Sequence, residues 1–284
     1  MAESCYNFKD VSNVFNEIDR HFYVKQTDGT EYISNPIKSY CQFMNNISGS
    51  SVCYSYLQGA TSGVIHFLKT LETKFDSKYD KLAEYAILWL CYKLNQNPSY
   101  KSTNLNHFYT NYIEKKMYYN NKIKDNGLSY KEIIDKKKNL MNMSIKEILK
   151  FYEALKTLCS LYDECNKNEF DCNKCSENAN KFAEQFKELI KDSKNIENSS
   201  YSQMLFTLSD DYNNLKNNCT DFPSIPTIKT PLTTLIPALS TFSVIPVFLG
   251  IAYKYSLFGV DKLFQRQYLR KKLKKITKKM KLNI

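Results

Sequence analysis

The fold of the chain is decided by a nearly continuous apolar stretch at 78–94, KYDKLAEYAILWLCYKL. Between Leu82 and Leu94 the apolar side chains leave almost no polar face. A helix that is hydrophobic all round has to be buried among other elements. With about ten apolar residues, interrupted by charges, it is too short to cross a bilayer, which requires about 20. The stretch therefore predicts the central core helix of a folded domain.

Segments on both sides of this stretch predict further helices, because their apolar residues recur at three- and four-residue spacing. An Asp-Gly pair predicts a turn within 26–34. Glycine is scarce, with seven residues in the whole chain, and no stretch alternates between apolar and polar residues over a strand's length. These features favour an all-α, helical bundle-like ectodomain at 1–220. The other predicted helical segments are 10–25, 37–53 (a short helix and a loop), 62–75, 105–122, 130–141, 145–164, 177–191 and 201–216.

Two capping boxes mark where helices begin. Ser129 precedes Glu132 by three residues, and Ser144 precedes Glu147 in the same way. In this motif the hydroxyl and the carboxylate each accept a hydrogen bond from the other residue's backbone amide. The motif therefore predicts helix starts near residues 130 and 145.

A second apolar stretch, at 232–253, carries no charged residue. Its 22 residues would extend about 33 Å as a helix, which matches the roughly 30 Å hydrocarbon core of a bilayer. The stretch therefore predicts one transmembrane helix, with a proline-containing linker at 221–231. A buried core helix and a membrane-inserting amphipathic segment are the alternatives. The missing charges and the interior Pro237 and Pro246 count against a core helix, since spanning helices tolerate proline better.

The residues after this stretch form a strongly basic tail at 254–284. Of the 40 basic and 29 acidic residues, 11 basic and one acidic lie in the tail, which leaves 29 and 28 for the rest of the chain. By the positive-inside rule the tail is cytosolic and the N-terminal head is outside. The N-terminus shows no basic region followed by an apolar one, so we expect no cleavable signal peptide. The predicted span would then also direct the head across the membrane.

Within the tail, apolar residues at 269, 273, 276 and 280 alternate with lysines, which is typical of a basic amphipathic helix. Such a helix would lie against anionic lipid of the inner leaflet. The alternative is a solvated run of charge that serves only to fix topology. The candidate lipid-facing residues are Arg270, Lys271, Lys272, Lys274, Lys275, Lys278 and Lys279.

All nine cysteines precede the predicted span. If the head faces an oxidising space, eight can pair and one is left over. Cys91 is the expected free thiol, because it lies in the apolar run, where cysteine behaves as a small hydrophobe. Local pairing among the cysteines between 159 and 175 is one option, and the alternatives are reduced structural thiols or a zinc site formed by those four thiolates. The cysteines expected to pair are Cys5, Cys41, Cys53, Cys159, Cys165, Cys172, Cys175 and Cys219.

The sequence shows no motif for catalysis or for cofactor binding. Nucleotide-binding glycine motifs, metalloprotease histidine pairs and nucleophile elbows are missing. His21, His66 and His107 lie on three different predicted helices, so we expect core or surface histidines and no metal ligands. Asp19, Asp210 and Asp211 are interpreted as residues of solvated helix faces. We therefore expect no enzyme activity, no cofactor and no metal.

Nucleic-acid binding is also not expected. The head is close to neutral. Arginine, which recognises bases through bidentate hydrogen bonds, occurs three times in the whole chain. The remaining basic residues are lysines, which suit phosphates and lipid headgroups without sequence preference.

Specific stretches in the head and in the C-terminal part of the chain resemble the Plasmodium interspersed repeat (PIR) family, most closely its rodent-malaria branch. In the C-terminal part they are FSVIPVFLGIAYKYSLF at 242–258 and QYLRKKL at 267–273. In the head they are YDKLAEYAILWL at 79–90, YKLN at 92–95 and DKKKNL at 135–140. The resemblance covers essentially the whole chain.

This resemblance implies a variable multigene-family protein with a helical, cysteine-containing ectodomain, one span and a short basic tail. It implies export to, or display at, the infected red cell, with proposed roles in antigenic variation, immune evasion or host-cell adhesion. A host-cell receptor or serum protein is the implied partner, beside the bilayer itself. The alternative is an intracellular membrane-anchored scaffold or trafficking protein whose head stays cytosolic.

Overall fold

The computed structural model describes residues 8–25, 28–44, 52–75, 78–125, 127–167, 172–191 and 199–228. The chain divides into two units, Met1–Ile228 and Lys229–Ile284, and all described residues belong to the first. Cys5, the predicted span at 232–253 and the basic tail at 254–284 lie outside the described residues.

Nine α-helices, two short strands and a few tighter helical turns make up the described part of the chain. The helices are α1 (Phe8–His21), α2 (Asn35–Met44), α3 (Tyr56–Phe75), α4 (Tyr79–Gln96), α5 (Leu105–Tyr109), α6 (Tyr130–Asp135), α7 (Ile145–Lys167), α8 (Ser176–Lys191) and α9 (Ser199–Lys216). The strands are β1 (Phe22–Val24) and β2 (Glu31–Ile33). A π-helical turn (Thr110–Glu114) continues α5, and 3₁₀ turns lie at Met117–Asn120 and Lys138–Asn142. The head is thus mostly helical, as the sequence predicted.

Helix α4 lies at the centre of the core, which confirms the interpretation of the apolar run. Every residue from Leu82 to Cys91 is buried, and α3, α6 and α7 pack around the helix. Helix α1 packs in turn against α3 and α7. Gly63 lets α3 approach α4 closely, because a Cβ atom at this position would overlap the indole ring of Trp89. The absence of a side chain at one position therefore fixes the distance between two core helices.

The predicted helix at 10–25 ends four residues early, at His21, where a β-hairpin begins. Strands β1 and β2 pair antiparallel, with Phe22 opposite Ile33 and Val24 opposite Glu31. The turn between them contains Gly29 at φ +70°, a conformation that glycine adopts without steric cost. The expectation that the head contains helices alone was therefore wrong for these six residues. Their aromatic and β-branched side chains suit a strand.

Both capping boxes are present. The Ser129 amide donates to the Glu132 carboxylate at 2.7 Å, and the Glu132 amide donates to the Ser129 hydroxyl at 3.2 Å. The Ser144 and Glu147 pair makes the same two bonds, at 2.9 and 3.2 Å. The helix starts at residues 130 and 145 are confirmed. The first helix is shorter than predicted and gives way to the 3₁₀ turn.

Ion pairs in the core join α4 to α1 and to α9. They correct the interpretation of Asp19 and Asp211 as residues of solvated faces. The Lys93 ammonium lies 3.0 Å from the Asp19 carboxylate and donates to the Phe22 carbonyl at 2.6 Å, with 1% of the Lys93 side chain exposed. The Asp211 side chain is fully buried and accepts bonds from Lys81, at 2.8 Å, and from the Tyr85 hydroxyl. Both acids sit on helices whose sequence pattern gives no sign of these distant lysines.

Among the helices of the described ranges, none combines the length and the apolar character that crossing a bilayer requires.

Candidate functional site

Disulfides are the most distinctive chemical feature of the head. Among the described residues three are formed: Cys41–Cys53, Cys165–Cys175 and Cys172–Cys219, with Cα–Cα distances of 5.1, 5.3 and 5.5 Å. These distances lie in the usual range for disulfides. The first closes the loop between α2 and α3, whereas the other two lie together at the far end of α7.

We call Cys165, Cys172, Cys175 and Cys219 the cysteine-linked end of the head. Cys165 lies in the last turn of α7, Cys175 immediately precedes α8, and Cys219 follows α9. The sulfur atoms of these three residues are buried and lie within 4.8 Å of one another. Cys172 is half-buried, and its disulfide places a fourth sulfur beside that of Cys219. The ends of three helices thus converge on four sulfur atoms.

Cys159 requires a correction. It was expected to pair, but it is a buried free thiol, as is Cys91. The four residues of the cysteine-linked end pair among themselves, and Cys159 points into the core with 1% of its surface exposed. Burial raises the pKa of the Cys159 thiol to about 12, so this thiol is not a reactive thiolate. The zinc alternative considered from sequence also changes, because Cys219 occupies the place assigned to Cys159.

A cleft of about 610 Å³ lies beside the cysteine-linked end, between the start of α4 and the second half of α9. Lys78, Lys81, Asp210, Asp211 and Asn218 contribute to its lining. Burial raises the pKa of the Asp211 carboxyl, while Lys81 and Tyr85 favour its ionised form. Because both partners already bond to Asp211, this carboxyl holds α4 against α9. It is not positioned as an acid or base for a substrate.

A second cleft, of about 490 Å³, lies between α4, α7 and α8. Its lining includes Tyr92 and Tyr152, whose rings stack with centroids 4.2 Å apart, and Lys156 and Lys181. Lys156 also reaches the Asp19 carboxylate at 3.3 Å. This ion pair joins α7 to α1, so Lys156 has a structural role in the wall of the cleft.

The histidines do not form a catalytic group. His21 and His66 come together, with ring centroids 6.1 Å apart, but His21 is engaged by the Ser34 hydroxyl at 2.6 Å. Burial, and secondly the neighbouring His21, lowers the pKa of the His66 imidazole. His107 lies elsewhere, bonded to Asn111. Among His, Cys, Asp and Glu side chains of the described ranges, the sulfurs at the cysteine-linked end are the group close enough to hold a metal ion.

A few large apolar side chains are exposed on the head, and they had no signal in the sequence. Tyr32 on β2 is 42% exposed and stacks on Tyr23, with centroids 4.9 Å apart. Tyr54, which precedes α3, is 61% exposed, and Met117 is 85% exposed. Tyr54 lies in the segment before α3 and Met117 begins a 3₁₀ turn, whereas Tyr32 lies within strand β2. Segments between regular elements are where a protein surface most readily makes contacts with partners.

Comparisons with known proteins agree with this architecture. A family model described as Plasmodium variant antigen protein Cir/Yir/Bir matches residues 5–254. A solved structure, described as the structure of a Plasmodium PIR protein ectodomain, is similar at a TM-score of 0.60 and 32% sequence identity. The match covers 79% of this chain and 100% of that one. No curated protein matches the chain. The chain belongs to the Cir/Yir/Bir family of Plasmodium variant antigen proteins.

Proposed function

We propose that this chain is a non-enzymatic variant membrane protein that presents its helical head outside the membrane, at the surface of the infected red cell or on exported membranes. The head would act in antigenic variation, immune evasion or host-cell adhesion. Family membership is the observation that carries this proposal. The host partner would be a cell receptor or a serum protein.

The disulfides support an outward head. Six cysteines of the described residues are paired in the head, and structural disulfides persist in oxidising surroundings, not in a reducing cytosol. A scaffold with a cytosolic head would need these cysteines in their reduced form. The pairing therefore favours a displayed protein over an intracellular scaffold.

The sequence supports a membrane anchor at the C-terminal side of the head. The uncharged stretch 232–253 is long enough to span a bilayer, and the 11 basic residues that follow it favour a cytosolic tail. The tail lysines and Arg270 would also bind anionic lipid of the facing leaflet. This arrangement places the loops and exposed aromatic side chains of the head where host molecules reach them.

Limited proteolysis of intact infected cells tests the proposal. With a tag at the C-terminus, external protease should remove the head and leave a short, membrane-bound, tagged fragment. Full-length protein that survives while control surface proteins are cut would refute surface display.

The cysteines provide a second test, directed at the scaffold alternative. Protein from infected cells, unfolded and alkylated without reductant, should be labelled at Cys91 and Cys159. The six paired cysteines should be labelled only after reduction. Labelling of these six cysteines without reductant would favour a cytosolic head and contradict the proposal.

A further inference from the structure

The sulfur atoms of the cysteine-linked end come from three separate places in the chain: the end of α7, the segment before α8 and the residues after α9. Sγ atoms of Cys165, Cys175 and Cys219 lie within 4.8 Å of one another, and Cys172 is bonded to Cys219. Two disulfides would join these segments even if the two bonds lay far from each other. Three buried sulfurs therefore meet at one point, and the half-buried Cys172, bonded to one of them, gives the reduced chain a fourth neighbouring thiol.

The spacing of these sulfurs suits a tetrahedral metal. Zinc binds thiolate sulfur at about 2.3 Å, which places the sulfurs of a four-cysteine site about 3.8 Å from one another. Sulfurs joined in a disulfide, about 2.05 Å apart, would have to separate by less than 2 Å to reach that distance. Rotation about the Cα–Cβ bonds of the cysteine side chains moves a sulfur atom by this amount.

The sequence spacing also suits zinc. Cys172 and Cys175 form a Cys-x-x-Cys pair, the short ligand spacing common in zinc sites. Cys175 immediately precedes the first residue of the 16-residue helix α8, where the backbone amides favour a negatively charged thiolate. Cys165 and Cys219, from the ends of α7 and α9, complete four sulfur ligands.

We propose that the reduced chain binds one Zn²⁺ ion through the thiolates of Cys165, Cys172, Cys175 and Cys219. Binding releases four protons as four thiols become thiolates. An oxidising disulfide such as oxidised glutathione then converts the site: two molecules of it accept four electrons and four protons and leave as four thiols. The protein gains two disulfides, and Zn²⁺ is released. Zinc thus links the ends of α7, α8 and α9 before oxidation, and the two disulfides link them afterwards.

This proposal does not depend on the function proposed above, because it concerns the reduced chain in any compartment. Zinc binding would stabilise the fold when the disulfides are absent, since the free energy of binding adds to the free energy of folding. Structural zinc also prefers closed sites made of protein ligands, and three of these four cysteines are buried.

Cobalt titration of the full chain tests the proposal. The chain is purified in detergent, reduced with a phosphine and titrated with Co²⁺. We expect one Co²⁺ per chain, with the thiolate charge-transfer and visible bands of a tetrahedral four-sulfur site, and displacement by one Zn²⁺. Oxidised glutathione should then release that zinc to a chromophoric chelator. Absence of the cobalt bands, or bands that persist after oxidation, would overturn the proposal.

Matched variants locate the site. Cys219→Ser should weaken Co²⁺ binding by at least about 100-fold, since loss of outer-shell partners alone costs about 10- to 100-fold. The double variant Cys41→Ser, Cys53→Ser removes the other disulfide and should bind as the parent does, as should Cys159→Ser. Far-ultraviolet circular dichroism reports whether each variant is folded. Binding that survives Cys219→Ser, or that is lost in Cys159→Ser with its helicity intact, would contradict the assignment.

Discussion

Cys172, in the loop before α8, is bonded to Cys219, just past the end of α9, across 47 residues of sequence. Among the three disulfides of the described ranges it closes the longest loop, so it restricts the unfolded chain more than the other two do. Loop-closure entropy predicts about 4 kcal/mol of stabilisation for this bond and about 3 kcal/mol for Cys41–Cys53, which closes 12 residues.

We therefore expect the double variant Cys172→Ser, Cys219→Ser to lose about 1 kcal/mol more stability than Cys41→Ser, Cys53→Ser. The measurement is urea unfolding of the oxidised proteins, followed by circular dichroism. Equal losses, or a larger loss in the second variant, would show that loop length does not set the ranking.

Replacing Lys93 with methionine should destabilise the head by about 3 kcal/mol, because it leaves the partly buried Asp19 carboxylate and the Phe22 carbonyl without their shared donor. Asp19 keeps contacts to Trp89 and Lys156, which limit the loss. The control is Lys191→Met, whose ion pair with Glu188 is 71% and 66% exposed and should contribute little to stability. Urea unfolding measures the stability of both variants. Similar losses of stability in Lys93→Met and Lys191→Met would refute a structural role for the ion pair of Lys93.

Gly63→Ala should destabilise the head by about 2 kcal/mol, since the added methyl group overlaps the Trp89 ring between α3 and α4. Gly59, one turn earlier on the same helix, is the matched control. Its Cβ would meet the tip of the Ile33 side chain, which can move. Gly59→Ala should therefore cost less than about 1 kcal/mol. The measurement is thermal unfolding of both variants. A Gly63→Ala variant more stable than Gly59→Ala would contradict the prediction and show that α3 and α4 separate easily.

His66 should make the head less stable as the pH falls. Its pKa is lowered from 6.5 by burial first and by the nearby His21 second, while Glu17 opposes the shift, and Tyr40 also faces the ring. The unfolded chain therefore takes up a proton near pH 6.5 that the folded head accepts only at lower pH. Stability is complete above pH 6.5 and declines as the pH falls towards the folded-state pKa.

The corresponding test compares the free energy of unfolding at pH 7.5 and pH 5 in the parent protein and in His66→Gln. The variant should lose less stability over this interval. His107→Gln, at an exposed position, is the control for removing an imidazole and should behave as the parent does. An unchanged pH dependence in His66→Gln would contradict the prediction.

The sequence predicted those parts of the fold that depend on neighbouring residues. The apolar run of α4 requires burial whatever surrounds it, and the serine–glutamate boxes begin α6 and α7 through contacts three residues apart. The hairpin was missed because each strand has three residues, too few for an alternating pattern to stand out from the end of a helix.

Contacts between distant residues could not be predicted. Lys93 lies 71 residues from the Phe22 carbonyl that it contacts, and Lys81 lies 130 residues from Asp211. On their own helices Asp19 and Asp211 resemble ordinary polar positions. The cysteine pairing has the same origin, because nothing near Cys159 or Cys219 in the sequence shows which of them lies beside Cys175.

Outward display of the head is the central claim, and a doubly tagged protein tests it most directly. One tag is inserted in the exposed turn at Gly29 and the other follows Ile284. In intact infected cells we predict that antibody stains the head tag without permeabilisation and the C-terminal tag only after it. Staining of both tags at the same permeabilisation step would place head and tail on one side of the membrane and contradict the account.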